Sequence, residues 1–361
     1  MTSKSSSNSG EKLMRAVCAM LFTVFTFCYL YFYQGDLIAA AQHIFSAGQT
    51  QYDHLIGAVL ITLTLFGVHL LFLAITRLTY RAHALTYYPS LLALLLLTVI
   101  QITDRQHISY GPWLWVAPVL LAIVIFFAYL VRKYESLEKI RKPVGLFSKI
   151  FWSNIMLLCF GFFFVGIFSN HNDVLHYRLR METLLLKYDY KGALEVGKKS
   201  LATDPSLTLL RTHALAKCHL LGERLFEFPL EGGAQALKPD GNSVQTIMYP
   251  TYKFVQLPES DYTLCAHLLN RNLDAFALAV KKYYAADSLL PKHYREALVL
   301  HNHLRSNPIV AYKNAVTDAD YADFMKLMRN GTPGSDPRRN HVRDIYGNTY
   351  WYYYYANRQT R

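Results

Sequence analysis

Five stretches of this chain run for at least 20 residues without Asp, Glu, Lys or Arg: 16–35, 54–76, 82–103, 112–131 and 150–172. A bilayer hydrocarbon core about 30 Å thick needs roughly 20 apolar residues at helical rise, and in lipid a single segment meets its own backbone hydrogen-bonding needs only as a helix. The pattern therefore predicts five transmembrane helices. The composition agrees, with 52% hydrophobic and only 17% charged residues where soluble domains average about 25% charged.

The loops predict the orientation. With the N-terminus inside, the inward segments hold Lys4, Lys12, Arg15, Arg77, Arg81, Arg132, Lys133, Lys139, Arg141, Lys142 and Lys149, whereas the outward loops 36–53 and 104–111 hold only Arg105. Cations in short loops mark the cytoplasmic side. An odd number of crossings then places residues 173–361 outside the cytoplasm. The apolar run 16–33 exceeds the h-region of about 7–15 residues of a cleaved secretory signal, so a retained signal-anchor is expected. In the first outer loop Leu37, Ala41, Ile44 and Phe45 share one helical face, which suits either an interfacial helix or a short helix packed on neighbouring spans. The organisation expected is a tail over 1–15, a membrane domain over 16–172, a soluble domain over 173–329 and a polar linker with an aromatic tail over 330–361.

The absence of charge inside the spans weighs against ion-coupled transport, proton pumping and voltage sensing, which keep ionisable groups within the membrane. His69 and Asn154 are the buried polar candidates there, and interhelical hydrogen bonding is their plainest role. Pro89 and Pro118 are expected to kink or start helices, and Tyr87, Tyr88, Tyr110, Trp113 and Trp115 to form an interfacial belt.

Residues 173–361 carry helical periodicity. Leu184, Leu185, Tyr188, Ala193, Leu194 and Val196 fall at three-and-four spacing on either side of an Asp189–Gly192 turn, and Asp204-Pro205 opens a further apolar-faced segment. Tyr177, Ala193 and Pro205 resemble the initial aromatic, the small crossing residue and the closing proline of the tetratricopeptide family. A second match runs through Ala279, Tyr283, Ala286 and Pro291, with the same twelve-residue step from alanine to proline. Arg180 and Gly197 depart from the pattern, and the two prolines lie 86 residues apart, so the array implied is irregular. The segment 283–298 resembles a group of uncharacterised multi-pass bacterial envelope proteins with helical exteriors. That resemblance implies an integral inner (cytoplasmic) membrane protein with a cytoplasmic N-terminus and a periplasmic C-terminal domain, and brings no activity with it.

Between the two blocks, 227–260 is rich in Pro and Gly, and 330–343 reads as a mobile linker. Six consecutive aromatics follow from Tyr350 to Tyr355. Either they cap a helical layer or rest at lipid headgroups, or rings such as Tyr350, Trp351 and Tyr353 grip a partner or a sugar face.

Chemistry is sparse. Gly192 to Lys199 nearly spells a phosphate loop, but Lys199 stands where Ser or Thr must bind magnesium and no strand precedes it. Cys218-His219, Cys265-x-His267 and His301-x-His303 lack the three-or-four spacing that puts two ligands on one helix face. Cys218 and Cys265 either pair or simply pack. No catalytic, cofactor-binding or metal-ligating set emerges, and nucleic acid is not an expected partner because the cations sit in topology-setting loops. The sequence thus predicts an all-α protein, a five-span transmembrane helical bundle followed by a soluble, irregular tetratricopeptide-like helical-hairpin domain. Its partners are the lipid bilayer and an envelope protein. The function expected is a non-enzymatic scaffold, the alternative being an accessory or catalytic part in envelope glycan or lipid processing.

Overall fold

The computed structural model describes residues 2–78, 80–103, 107–137, 147–239, 244–256, 259–285, 289–329 and 336–356. Arg105, Lys139, Arg141, Lys142 and Ala286 lie outside the described residues, as does the first part of the 330–343 stretch. The chain divides into two compact units, 1–172 and 173–361. Both are helical. Among the described residues the only strands are the two-residue pair β1 (Gln101–Ile102) and β2 (Ile108–Ser109).

In the first unit α1 (Thr2–Cys28) runs on through a π-helical turn at Tyr29–Tyr33. Then come α2 (Gly35–Phe45), α3 (His54–Thr76), α4 (Tyr88–Thr98), α5 (Trp113–Leu137) and α6 (Lys149–Phe168). Asp53 caps α3 by accepting from the Ile56 N–H at 2.9 Å, and Ser148 caps α6 by accepting from Phe151. α2 buries Leu37, Ala40 and Ala41 against neighbouring helices and leaves Phe45 exposed. Pro89 lies in the first turn of α4, whereas Pro118 lies inside α5.

Among the described residues four helices, not five, are long and apolar enough to cross a membrane: Gly10–Tyr33, His54–Thr76, Trp113–Tyr134 and Lys149–Phe168. The stretch 82–103, expected as the third of five spans, is broken into a 3-10 segment, Tyr80–Tyr87, and the 11-residue α4. The backbone leaves helical geometry at Ala82, and α4 alone is about 17 Å long. The break survives because side chains take over the backbone groups it frees. Asn154 on α6 accepts from the Ala84 N–H at 2.8 Å and donates to the Arg81 carbonyl at 3.1 Å. Thr86 donates to the His83 carbonyl at 2.6 Å, so its oxygen receives the Nδ1–H of His69 at 3.0 Å. The His69 ring also stacks flat on Tyr87 with centroids 3.7 Å apart.

Burial explains why this segment tolerates irregular backbone. Pro89, Ser90, Leu91, Leu92, Leu94, Leu95 and Thr98 of α4 are all buried, whereas Leu71, Phe126, Met156 and Phe160 on the long helices are exposed. Non-helical backbone at membrane depth is tolerated where protein encloses it. A second lock closes the far end, where Asn170, just beyond α6, donates its backbone N–H to the Thr98 carbonyl at 2.8 Å and its side-chain amide to Ile100 at 2.7 Å. Residues 81–100 thus run alongside α6 from the level of Asn154 to that of Asn170.

The second unit contains α7 (Asp173–Leu186), α8 (Tyr190–Glu195), α9 (Pro205–Lys217), α10 (Leu221–Arg224), α11 (Glu259–Leu269), α12 (Leu273–Tyr283), α13 (Lys292–Leu304), α14 (Ala315–Arg329), α15 (Asp336–Tyr346) and α16 (Tyr350–Ala356). One core built on Leu207, Leu210, Leu264, Phe276, Leu298 and Trp351 runs through them. Helical hairpins are present, α7 with α8 and α11 with α12, but α8 has only 6 residues and Pro205 opens α9 instead of closing a helix. The unit is all-α, with hairpins in place of a regular repeat array. Residues 336–346, expected within a linker, form α15. The 227–260 excursion is fastened from beneath by Glu182 on α7. Its carboxylate accepts the backbone N–H groups of Ile247 and Tyr249 at 3.0 and 2.9 Å and that of Met248. Complete burial pushes the Glu182 carboxyl up, against the pull of those N–H groups and of Arg178.

Replacing Asn154 by Leu keeps the volume close and removes both hydrogen bonds, leaving a backbone N–H and a C=O unmatched inside the bundle at a cost of about 1–3 kcal/mol each. The expected outcome is a clear fall in melting temperature of the detergent-solubilised protein, whereas Ser153→Ala, on the exposed side of the same turn, leaves it unchanged.

Candidate functional site

The second unit carries an open polar cleft of about 820 Å³. One wall is the turn after α8, with Lys198, Lys199 and Ser200; the floor is the Phe226–Leu230 segment; the opposite wall is α15 and α16, with Arg343, Asp344, Tyr352 and Tyr353. The first wall depends on Gly197. Its φ is +60°, and a Cβ there would lie 2.9 Å from the Tyr177 ring, so only glycine lets the chain turn over that tyrosine. This accounts for Gly197 standing where the tetratricopeptide pattern has a larger residue.

Floor and far wall are joined by one buried carboxylate. Glu296 on α13 accepts the backbone N–H of Tyr350 at 2.8 Å with the same oxygen that receives the Nδ1–H of His293 at 2.9 Å. The tautomer follows from the other ring nitrogen, since His293 Nε2 accepts from the Phe226 N–H at 3.3 Å. The Glu296 carbonyl accepts from the Trp351 indole at 2.8 Å. Thr349 completes the support by capping α16 through the Tyr352 N–H. A histidine and a glutamate in contact suggest acid–base chemistry, but these two are buried and both ring nitrogens are engaged, so the pair positions the cleft.

Tyr353 is fixed on three sides. Its hydroxyl donates to the Leu269 carbonyl at 2.8 Å, the Arg271 guanidinium lies over its ring at 4.7 Å, and Phe226 packs on it with centroids 4.8 Å apart. Burial pushes its phenol up, with Arg271 opposing. The cleft's two carboxylates are Glu227, paired with Arg224 at 2.8 Å, and Asp344. No histidine or cysteine is among its lining residues.

Of the aromatic residues singled out in the sequence, Tyr353 reaches the cleft, while Tyr350 and Trp351 are buried in the core. Trp351 also lines a smaller open pocket of about 390 Å³, beside Lys292, Arg295 and Asp320. Ala193 is fully buried, Tyr177 covers Gly197, and Ala279 is buried within α12, which ends at the half-buried Tyr283. Pro291 precedes α13 and packs on Gly222. The paired histidines diverge: His301 bonds Asp274 at 3.1 Å, which also takes Arg305, whereas His303 faces Asp318 at 3.4 Å. Arg305 and then His301 hold the Asp274 carboxyl below its usual range. Cys218 and Cys265 are free thiols, with Cys265 Sγ 3.7 Å from the Tyr294 hydroxyl. Among the described residues no group of three potential ligands is gathered for a metal.

Sequence reading did not single out Lys198, Phe226, Arg343 or Tyr352. They lie far apart along the chain, and the signals touching them were the near-phosphate loop ending at Lys198-Lys199 and the aromatic run that contains Tyr352. Truncating Glu296 to Ala leaves the His293 and Tyr350 N–H groups buried without their acceptor, at about 1–3 kcal/mol each. The expected outcome is faster proteolysis between Tyr346 and Ala356, measured by mass spectrometry of the fragments, with sites in α7 cleaved as before.

Residues 259–357, from α11 to the end of α16, match a family model described as a family of unknown function (DUF6057). Neither the curated proteins nor the solved structures offer a match to this chain.

Proposed function

We propose that the protein is a non-enzymatic binding protein of the cell envelope. Its first unit is integral to the inner (cytoplasmic) membrane with the N-terminus in the cytoplasm, and its second offers the cleft above Phe226 to a protein partner in the periplasm. The observation that carries the reading is the lining of the cleft, with Lys198, Lys199 and Arg343 on its walls and the Phe226, Tyr352 and Tyr353 rings between them. Cations flanking rigid rings suit a peptide segment with carboxylates spaced around an apolar side chain.

Two features support the orientation. The cations favour the N-terminal side of the spans, and residues 81–100 accompany α6 from Asn154 to Asn170, so the broken segment covers most of the depth of a span without being a long helix. Counted as a crossing, it restores an odd number. A reporter enzyme fused after Arg361 and active only outside the cytosol is expected to be active; activity of a cytosol-only reporter instead overturns the periplasmic assignment.

A photo-reactive residue at Tyr352 is expected to cross-link one defined protein, and Lys199→Glu with Arg343→Glu is expected to reduce that product about tenfold, equivalent to about 1.4 kcal/mol. The half-buried Tyr352 and Tyr353 rings on the cleft wall keep one alternative specific, a part in envelope glycan or lipid processing, since aromatic faces also stack on sugars. Recovery of lipid-linked sugar alone favours that alternative and overturns the protein-binding reading.

A further inference from the structure

The smaller pocket of the second unit, about 390 Å³, lies between the first turn of α13, the start of α14 and the turn from α15 to α16. Small-molecule sites occupy about 300–1,000 Å³. The pocket meets the cleft only at Ile345 and Asn348, which line both. Most of its polar side chains are engaged within the protein. Lys292 donates to the Asn348 carbonyl at 3.1 Å, Thr349 to the Tyr346 carbonyl at 2.7 Å and Thr317 to the Asn314 side chain at 3.0 Å. The Glu296 carboxylate already receives His293 and the Tyr350 N–H.

Arg295 and Asp320 are the charged exceptions. Both line the pocket, yet among the described residues neither makes a hydrogen bond or ion pair, even with the other. The Arg295 Nε is buried with no acceptor, a state that folded proteins keep for few of their polar groups. Arg295 stands on α13 and Asp320 on the neighbouring α14, so the two opposite charges belong to different walls. The pocket also has an apolar side, where Val316 and Ile345 are left 73% and 48% exposed.

We propose that this pocket binds a free α-amino acid with an apolar side chain, its carboxylate on Arg295, its ammonium on Asp320 and its side chain against Val316 and Ile345. The charges lining the pocket decide the class of ligand. Lys292 and Arg295 balance the carboxylates of Glu296 and Asp320, so a dipolar molecule of no net charge is complementary. A phosphate gains Arg295 but meets two carboxylates, and an uncharged apolar molecule leaves Arg295 without an acceptor. The guanidinium presents a carboxylate with a planar fork of donors. This site does not rest on the reading of the cleft.

The test is isothermal titration of the full chain in detergent with L-leucine, L-valine and L-phenylalanine in turn. At least one is expected to bind saturably and one-to-one. For the tightest of the three, the analogues that lack its ammonium or its carboxylate are expected to bind at least tenfold more weakly, equivalent to about 1.4 kcal/mol. Arg295→Gln, which gives up no hydrogen bond within the protein, and Asp320→Asn are each expected to weaken the amino acid about tenfold while the melting temperature stays unchanged. No binding by any of the three overturns the proposal, as does an analogue that binds as tightly as its parent or undiminished affinity in either folded variant. Should Arg295→Gln not fold, Asp320→Asn decides alone, because its side chain is exposed and holds nothing together: wild-type affinity there overturns the proposal.

Discussion

The membrane unit depends on a requirement that lipid imposes and water does not: a backbone N–H or C=O that leaves a helix must find a partner inside the protein. Asn154 meets it by using both ends of its amide on the 81–84 turn, and Asn170 does the same at the far end with its backbone and side chain. Between these locks α4 is buried on almost every side. The unit is therefore organised around its least regular element, with the long helices turning apolar faces outward around it.

The soluble unit solves a related problem with carboxylates. Glu182 gathers three successive backbone N–H groups of an otherwise irregular excursion, and Glu296 gathers a histidine, a helix N-terminus and, through its carbonyl, an indole. A buried carboxylate is costly unless donors surround it. Here the backbone donors belong to segments distant in sequence, so each acid ties loop to core. The cleft inherits its geometry from the second of these hubs: Phe226 is placed through His293, and Tyr352 and Tyr353 ride on the helix whose first turn Glu296 receives.

Much of this was legible in the residues. The long helices at 54–76 and 150–168 follow from uncharged length, and Asn154 stood out because an amide among apolar residues needs a partner. The 82–103 stretch misled because composition measures greasiness and not burial. Tyr350 and Trp351 left two readings open, since a run of aromatics looks adhesive whether it faces solvent or core. Gly197 looked like a defect in a repeat until the Tyr177 ring beneath it gave it a reason.

By itself the sequence determined the class of structure, a helical chain whose first part carries segments long and apolar enough to cross a membrane, because hydrocarbon thickness and helical periodicity act on segments taken one at a time. Only the tertiary structure decided which apolar segment becomes the enclosed, broken core and which faces lipid, because that choice rests on polar contacts between residues about 70 positions apart. It likewise decided that Lys198, Phe226, Arg343 and Tyr353 share one cleft. No local pattern encodes such a gathering; it exists only once buried carboxylates have drawn distant stretches of backbone together.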